Sequence, residues 1–276
     1  MPHITTTGAQ PIHLRYEDTG GSGRPIVLIH GWPLSSEAFS DNVPALTGAG
    51  HRVITYDRRG FGHSDKPHDG YDYDTLSSDL RDLMEQLDLH DAVILGFSMG
   101  GGEVARYIGR HGTDRLAGAI LSSSICPALA QTDDNPDGAM PPSAFADMAR
   151  QCADDHSGFL DQFVTSFFSN DDGLTVDAAT RQAALGIALQ SDPRAASLTI
   201  EAWATDLRED CAAIDVPLLV LHGDGDQNVP LAASSQRMPA LVEGAQLHVI
   251  DGGPHGLNVS HQQEWEQTIL KFLEQL

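Results

Sequence analysis

Basic side chains are scarce in this sequence. The 16 lysines and arginines are outnumbered by 39 aspartates and glutamates across 276 residues, a formal charge of −23 at pH 7. Such a surface repels phosphate backbones and anionic headgroups, so neither nucleic acid nor a membrane is an expected partner. An anionic substrate would need a local basic patch. Cysteine is sparse too. Cys126, Cys152 and Cys211 are odd in number, widely spaced and matched to no metal-ligand pattern. They read as incidental thiols in a reducing compartment, and neither a metal nor a cofactor is implied. No apolar run is long enough to cross a bilayer, and Met1-Pro2-His3-Ile4 does not begin a basic region followed by an apolar stretch. A cytoplasmic location is therefore expected. There is no internal repeat and no low-complexity tail. The remaining balance, 41% hydrophobic and 20% charged, suits a globular chain able to bury one large core or two modest ones.

What is present is a regular alternation of short apolar runs and helical patterns. Residues 4–17 read as a strand pair, with Ile12 to Tyr16 alternating as a half-exposed strand. Buried strands are expected at Pro25-Ile26-Val27-Leu28-Ile29, Arg52-Val53-Ile54-Thr55-Tyr56, Ala92-Val93-Ile94-Leu95 and Leu116 to Leu121. Between them fall helices over about 36–46 and 75–87, the second with Leu76, Leu80, Leu83, Met84 and Leu87 on one face. Strands and helices in this rhythm imply a mostly parallel sheet with helices on both faces. After Ser124 the rhythm stops. Residues 127–143 are rich in Pro, Asp, Gly and Asn, and no strand pattern returns until Val216. Phe159, Phe163 and Phe167 repeat at helical spacing, as do Leu160, Val164 and Phe168, and further helices are expected at about 177–189 and 194–205. We therefore expect a core domain from residues 1–126 and 213–276, with a helical cap inserted over 127–212. The cap's own core takes up most of those aromatics. The sheet resumes at 217–222 and 246–250, and a final helix over 261–275 carries Trp265, Ile269, Leu270 and Phe272 for packing.

One strand ends in chemistry. Gly96-Phe97-Ser98-Met99-Gly100 follows the run 92–95 and precedes a helical stretch, Glu103 to Ile108. This is the G-x-S-x-G pattern of a nucleophile elbow, a sharp turn that presents a serine hydroxyl at the top of a sheet. The new helix's free N–H groups and partial positive charge suit an anion developing there. A serine hydroxyl needs a base in reach, and the base needs an acid to orient it. His255 is the candidate base, alone among the histidines in a glycine-rich loop after a late strand, Gly252-Gly253-Pro254-His255-Gly256. His222, His248 and His261 read as packing or surface residues. For the acid, Asp226 and Asp224 compete in His222-Gly223-Asp224-Gly225-Asp226. Asp226 fits the Gly-x-x-Asp spacing, and Asp224 reads as a solvated turn residue. An oxyanion hole needs two backbone N–H donors. Met99, next after the serine, offers one, and Trp32 in His30-Gly31-Trp32-Pro33 the other, since Pro33 has none. His30 is read as fixing that loop.

These residues together resemble the α/β-hydrolase superfamily over essentially the whole chain. More closely, the sequence is similar to the cofactor-free haloperoxidase group of bacterial esterases, also described as non-haem chloroperoxidases or perhydrolases. The resemblance is carried by His30 to Ser35, Tyr56-Asp57-Arg58-Arg59-Gly60-Phe61-Gly62-His63-Ser64, Gly96 to Tyr107, Asp215-Val216-Pro217 and Gly253 to Leu257. It implies a Ser98-His255-Asp226 triad forming an acyl-enzyme, small esters as substrates, and hydrogen peroxide as an alternative to water, giving a peracid that oxidises halide. A homo-oligomer is compatible with it. A serine at the elbow argues against haloalkane dehalogenation, which needs a carboxylate nucleophile. Two alternatives stand beside the esterase: hydrolysis of a lactam, amide or carbon–carbon bond, and a non-catalytic receptor for a small molecule on the same scaffold. The cap, where the match weakens, governs that choice.

Overall fold

A computed structural model describes residues 2–8 and 10–276. The chain opens with β1 (His3–Thr5) antiparallel to β2 (His13–Asp18), followed by β3 (Pro25–Ile29). Next come α1 (Val43–Gly48), β4 (Arg52–Tyr56) and α2 (Tyr73–Gln86). Then follow β5 (Ala92–Phe97), α3 (Met99–His111) and β6 (Leu116–Ser122). Four helices and a short hairpin come next: α4 (Pro142–Asp154), α5 (His156–Phe167), β7 (Ser169–Asn170) with β8 (Gly173–Leu174), α6 (Ala178–Ala188) and α7 (Pro193–Ala202). The brief α8 (Arg208–Ala212) leads back to the sheet through β9 (Leu218–Gly223) and β10 (Gln246–Ile250). The chain closes with α9 (Leu257–Ser260) and α10 (Gln262–Leu273).

The large sheet runs β1-β2-β4-β3-β5-β6-β9-β10, parallel except where β2 meets β1 and β4. Strand β5 has neighbours on both edges and every residue buried, which is why it reads as a continuous apolar run. From β3 the chain moves outward to β4, then crosses back to β5 and on to β6 in the other direction. That reversal lies between β3 and β5. In open parallel sheets the crevice outside the carboxyl ends at such a point is where ligands bind. Both Trp32 and Ser98 follow those two strand ends.

Most expected elements stand within two residues of the ranges the pattern gives. The helix expected over 36–46 does not: a 3₁₀ turn, Ser36–Phe39, is separated from α1. Asp57 Oδ1 accepts both the N–H and the hydroxyl of Ser36, at 2.9 and 2.6 Å, and so anchors the start of the turn. Pro44 would break a continuous helix, but in the first turn of α1 its missing N–H costs nothing. The β7–β8 hairpin also departs from the expected strand-free stretch. It turns through Asp171 and Asp172 into Gly173, whose φ of +111° suits only glycine.

The helices between β6 and β9 meet the carboxyl ends of the strands through aromatic side chains. The Trp32 ring packs edge-on against Phe159, Phe163 and Trp203, with centroids 6.0, 4.7 and 5.1 Å away. The α5 stripe turns Leu160, Val164 and Phe167 inward. No helix among the described residues is long and apolar enough to cross a membrane.

Candidate active site

The turn from β5 into α3 is tight enough to dictate its own residues. A side chain at Gly96 would strike the Gly100 carbonyl, and one at Gly100 would come 2.5 Å from the Ile29 oxygen. Between them Ser98 sits at φ +55° and ψ −119°, outside the regions an L-residue prefers, at a cost of roughly 1–3 kcal/mol. The strain is held by the Ser98 N–H donating to Ser122 O at 2.8 Å and by Gly101 N–H donating to Ser98 O at 2.9 Å. Helix α3 begins at Met99, immediately after the serine.

Three loops then converge. His255 Nε2 lies 2.9 Å from Ser98 Oγ, and His255 Nδ1 lies 2.6 Å from Asp226 Oδ2. With a carboxylate on Nδ1, that nitrogen carries the proton and donates it, leaving Nε2 free to accept from the serine hydroxyl. The imidazole packs against the Phe97 and Phe167 rings, each 5.2 Å away, which also pack on one another. Its backbone is tied by Ser123 Oγ donating to His255 O at 3.0 Å. Asp226 Oδ1 accepts the N–H groups of Asn228 and Val229, at 2.9 and 2.8 Å. Burial alone would raise the Asp226 pKa. The opposing pull of His255, with hydrogen bonds from His222 and His255, prevails and holds the carboxyl below the usual carboxylate range.

Asp224, the rival acid, is exposed and accepts the Gly252 N–H at 2.7 Å, joining the loops after β9 and β10. It acts as the turn residue expected of it.

His222 is different from what the sequence suggests. It is fully buried, and its Nε2 faces two acceptors, Val229 O at 2.9 Å and Asp226 Oδ2 at 3.1 Å. Nε2 must therefore carry the proton. Nδ1, 2.7 Å from Ser235 Oγ, then accepts the serine hydroxyl. A packing role misses this contact with Asp226. The available signal was a histidine ending the otherwise aliphatic buried strand Leu218-Leu219-Val220-Leu221, where a polar ring must have partners.

The loop after β3 passes directly beside the serine: a side chain on Gly31 would come 2.7 Å from the Phe97 ring and 3.1 Å from Ser98 Cβ. The backbone N–H groups of Trp32 and Met99 find no acceptor among the described residues. His30 fixes this loop, as expected. Its Nε2 accepts the Arg58 N–H at 3.0 Å, and Arg58 Nη2 donates to His30 O at 2.8 Å. Desolvation, reinforced by the Arg58 charge, lowers the His30 pKa well below that of a free imidazole and keeps the ring neutral. Arg58 is in turn paired with buried Glu103 of α3 at 2.8 Å, and Tyr56 O–H also donates to Glu103. A charged pair beneath the elbow thus locks α3 to the loop, a role the sequence pattern did not single out.

Sheet order, elbow and the converging loops define an α/β hydrolase. A family description of the α/β-hydrolase fold matches residues 24–262, and the chain belongs to that family. It is 39% identical to a non-heme chloroperoxidase of Kitasatospora aureofaciens, over 99% of both chains. A bifunctional esterase/perhydrolase of Acinetobacter calcoaceticus is 33% identical, again over 99% of each. Among solved structures, a bromoperoxidase from Bacillus anthracis superposes with a TM-score of 0.94 at 41% identity, covering 99% of this chain and 100% of that one. The protein is a hydrolase.

Proposed function

We propose that this hydrolase cleaves small carboxylic esters through an acyl-enzyme on Ser98. The carrying observation is the unbroken hydrogen-bonded line from Ser98 Oγ through His255 to Asp226 at the sheet's point of reversal. Ser98 attacks the ester carbonyl as His255 Nε2 takes its proton, and Asp226 holds the imidazole and balances its charge. The N–H groups of Trp32 and Met99 stabilise the oxyanion, a contribution of roughly 3–4 kcal/mol per donor in comparable sites. His255 protonates the departing alcohol and then activates the second nucleophile. Water gives the carboxylic acid. Hydrogen peroxide gives a peracid and returns Ser98 to its hydroxyl form, a route supported by the likeness to the chloroperoxidase and the esterase/perhydrolase. Residues 127–212 serve as the cap that limits what reaches Ser98.

Hydrolysis of 4-nitrophenyl acetate by the wild type and by Ser98→Ala tests the assignment. The variant should lose at least ~10⁴-fold in kcat. Comparable turnover by both proteins would refute it. Bromide oxidation should require peroxide together with a carboxylic acid, and should vanish in the same variant.

A further inference from the structure

The chain has three tryptophans, and all are buried. Trp32 Nε1 donates to Ala196 O at 3.0 Å, and Trp265 Nε1 donates to Ser122 Oγ at 2.9 Å. Trp203 is 8% exposed, and its Nε1 is buried with no acceptor. An indole N–H can donate and do nothing else. Buried donors are nearly always paired, so an unpaired one calls for a reason. Packing accounts for the ring's bulk, between Trp32 and Phe163, but not for a polar N–H buried with it. Nor can the ring simply turn to find a partner: it stands edge-on against Trp32 at 5.1 Å.

Location supplies the reason. Trp203 lines a cavity of about 30 Å³ that also touches Ser98 and His255. A space of that size holds about one water-sized group. Asn228 lines it as well, and its Oδ1 is likewise buried and unpartnered. The rest of the wall is apolar, including Ile125, Phe145 and Phe163. An otherwise oily cleft beside the serine is thus lined by two residues that each carry an unsatisfied polar atom, one a donor and one an acceptor.

We infer that this cleft selects esters carrying a hydrogen-bond-accepting oxygen close to the carbonyl that Ser98 attacks: a hydroxy, alkoxy or keto ester rather than a plain hydrocarbon one. Trp203 Nε1–H takes that oxygen, and a hydroxyl donates in addition to Asn228 Oδ1. The inference rests on the esterase reading and names its substrate class. A pocket built to hydrogen-bond a substrate discriminates against the analogue that leaves its polar groups unpaired.

The test pairs substrates that differ only by oxygen for methylene. In one arm these are 4-nitrophenyl methoxyacetate and butyrate; in the other, 2-methoxyethyl and butyl acetate. For each pair the ratio of kcat/KM is compared between wild type and Trp203→Phe, so that intrinsic reactivity and the fraction of active enzyme cancel. The ratio should fall about ten-fold, ~1.4 kcal/mol, in one arm, and that arm tells whether the acyl or the alcohol part occupies the cleft. Ratios unchanged in both arms overturn the inference. Should Trp203→Phe not fold, competitive inhibition of the wild type by methoxyacetamide and butyramide decides: about five-fold tighter binding of the ether supports it, and equal or weaker binding overturns it. Failure of the esterase reading looks different, since the wild type would then cleave none of the four esters.

Discussion

Asp226 Oδ2 sits between two imidazoles, His255 at 2.6 Å and His222 at 3.1 Å. His222 does not reach the serine, so it is a positioning residue that acts through the carboxylate. Removing it with His222→Leu should lower kcat about 10- to 100-fold, the worth of a hydrogen bond to a charged group, with KM little changed. His222→Gln, which restores a donor, should recover part of the loss. A role confined to packing would instead favour the leucine. The carboxylate also ties stability to pH. Its pKa is depressed in the folded protein, so below the ordinary aspartate value, about 3.9, the unfolded chain binds more protons. The stabilisation is complete above that range and drains away as pH falls towards the folded value. The difference in Tm between wild type and Asp226→Asn should therefore narrow between pH 7 and pH 3. The two histidines also show what a sequence conceals. His255 stood out because its loop is glycine-rich and follows a strand, whereas His222 lies inside a strand and looks like filler.

The strand–turn–helix of residues 92–111 depends on backbone surfaces meeting without side chains between them. Gly100→Ala would force its methyl to 2.5 Å from Ile29 O, where only backbone can give way. Such overpacking typically costs about 1–3 kcal/mol, and urea unfolding should show it as a lowered midpoint at constant slope. Elements of this kind are legible because their rules are local. β3, β4 and β10 lie where the apolar runs put them, since alternation and burial decide a strand's extent. The helix expected over 36–46 fails for the opposite reason. Pro44 marks a break from within the stretch, but where the turn and α1 settle is set by Asp57, about twenty positions along the chain, and by Asn42, whose side chain reaches Asn258 O at 2.9 Å. No window of neighbouring residues contains those partners.

At the scale of the whole molecule, all three cysteines are buried: Cys126 beyond β6 lies against Cys211 of α8, and Cys152 sits apart in α4. Burial pushes the Cys152 thiol up to about 11, which disfavours the reactive thiolate. A thiol reagent at pH 8 should therefore label essentially none of them in the native protein and all three after denaturation. Rapid labelling of the native chain would mean that the helices after β6 open freely. The order Ser98, Asp226, His255 and the three strand ends beneath them were readable from one dimension. The cleft was not, because Trp203 becomes a neighbour of Ser98 and Asn228 only once the helices between β6 and β9 fold across the sheet.

Trp32 belongs to both halves of that arrangement. Its main chain runs beside Ser98, while its indole is pinned to α7 through Ala196 O and wedged among Phe159, Phe163 and Trp203. One residue therefore joins the loop beside the serine to the aromatic roof above it. A substitution that repacks those aromatics is therefore expected to register in turnover as well as in fit. Selection could retune the rate of this enzyme from the top of the molecule, leaving the three residues at the bottom untouched.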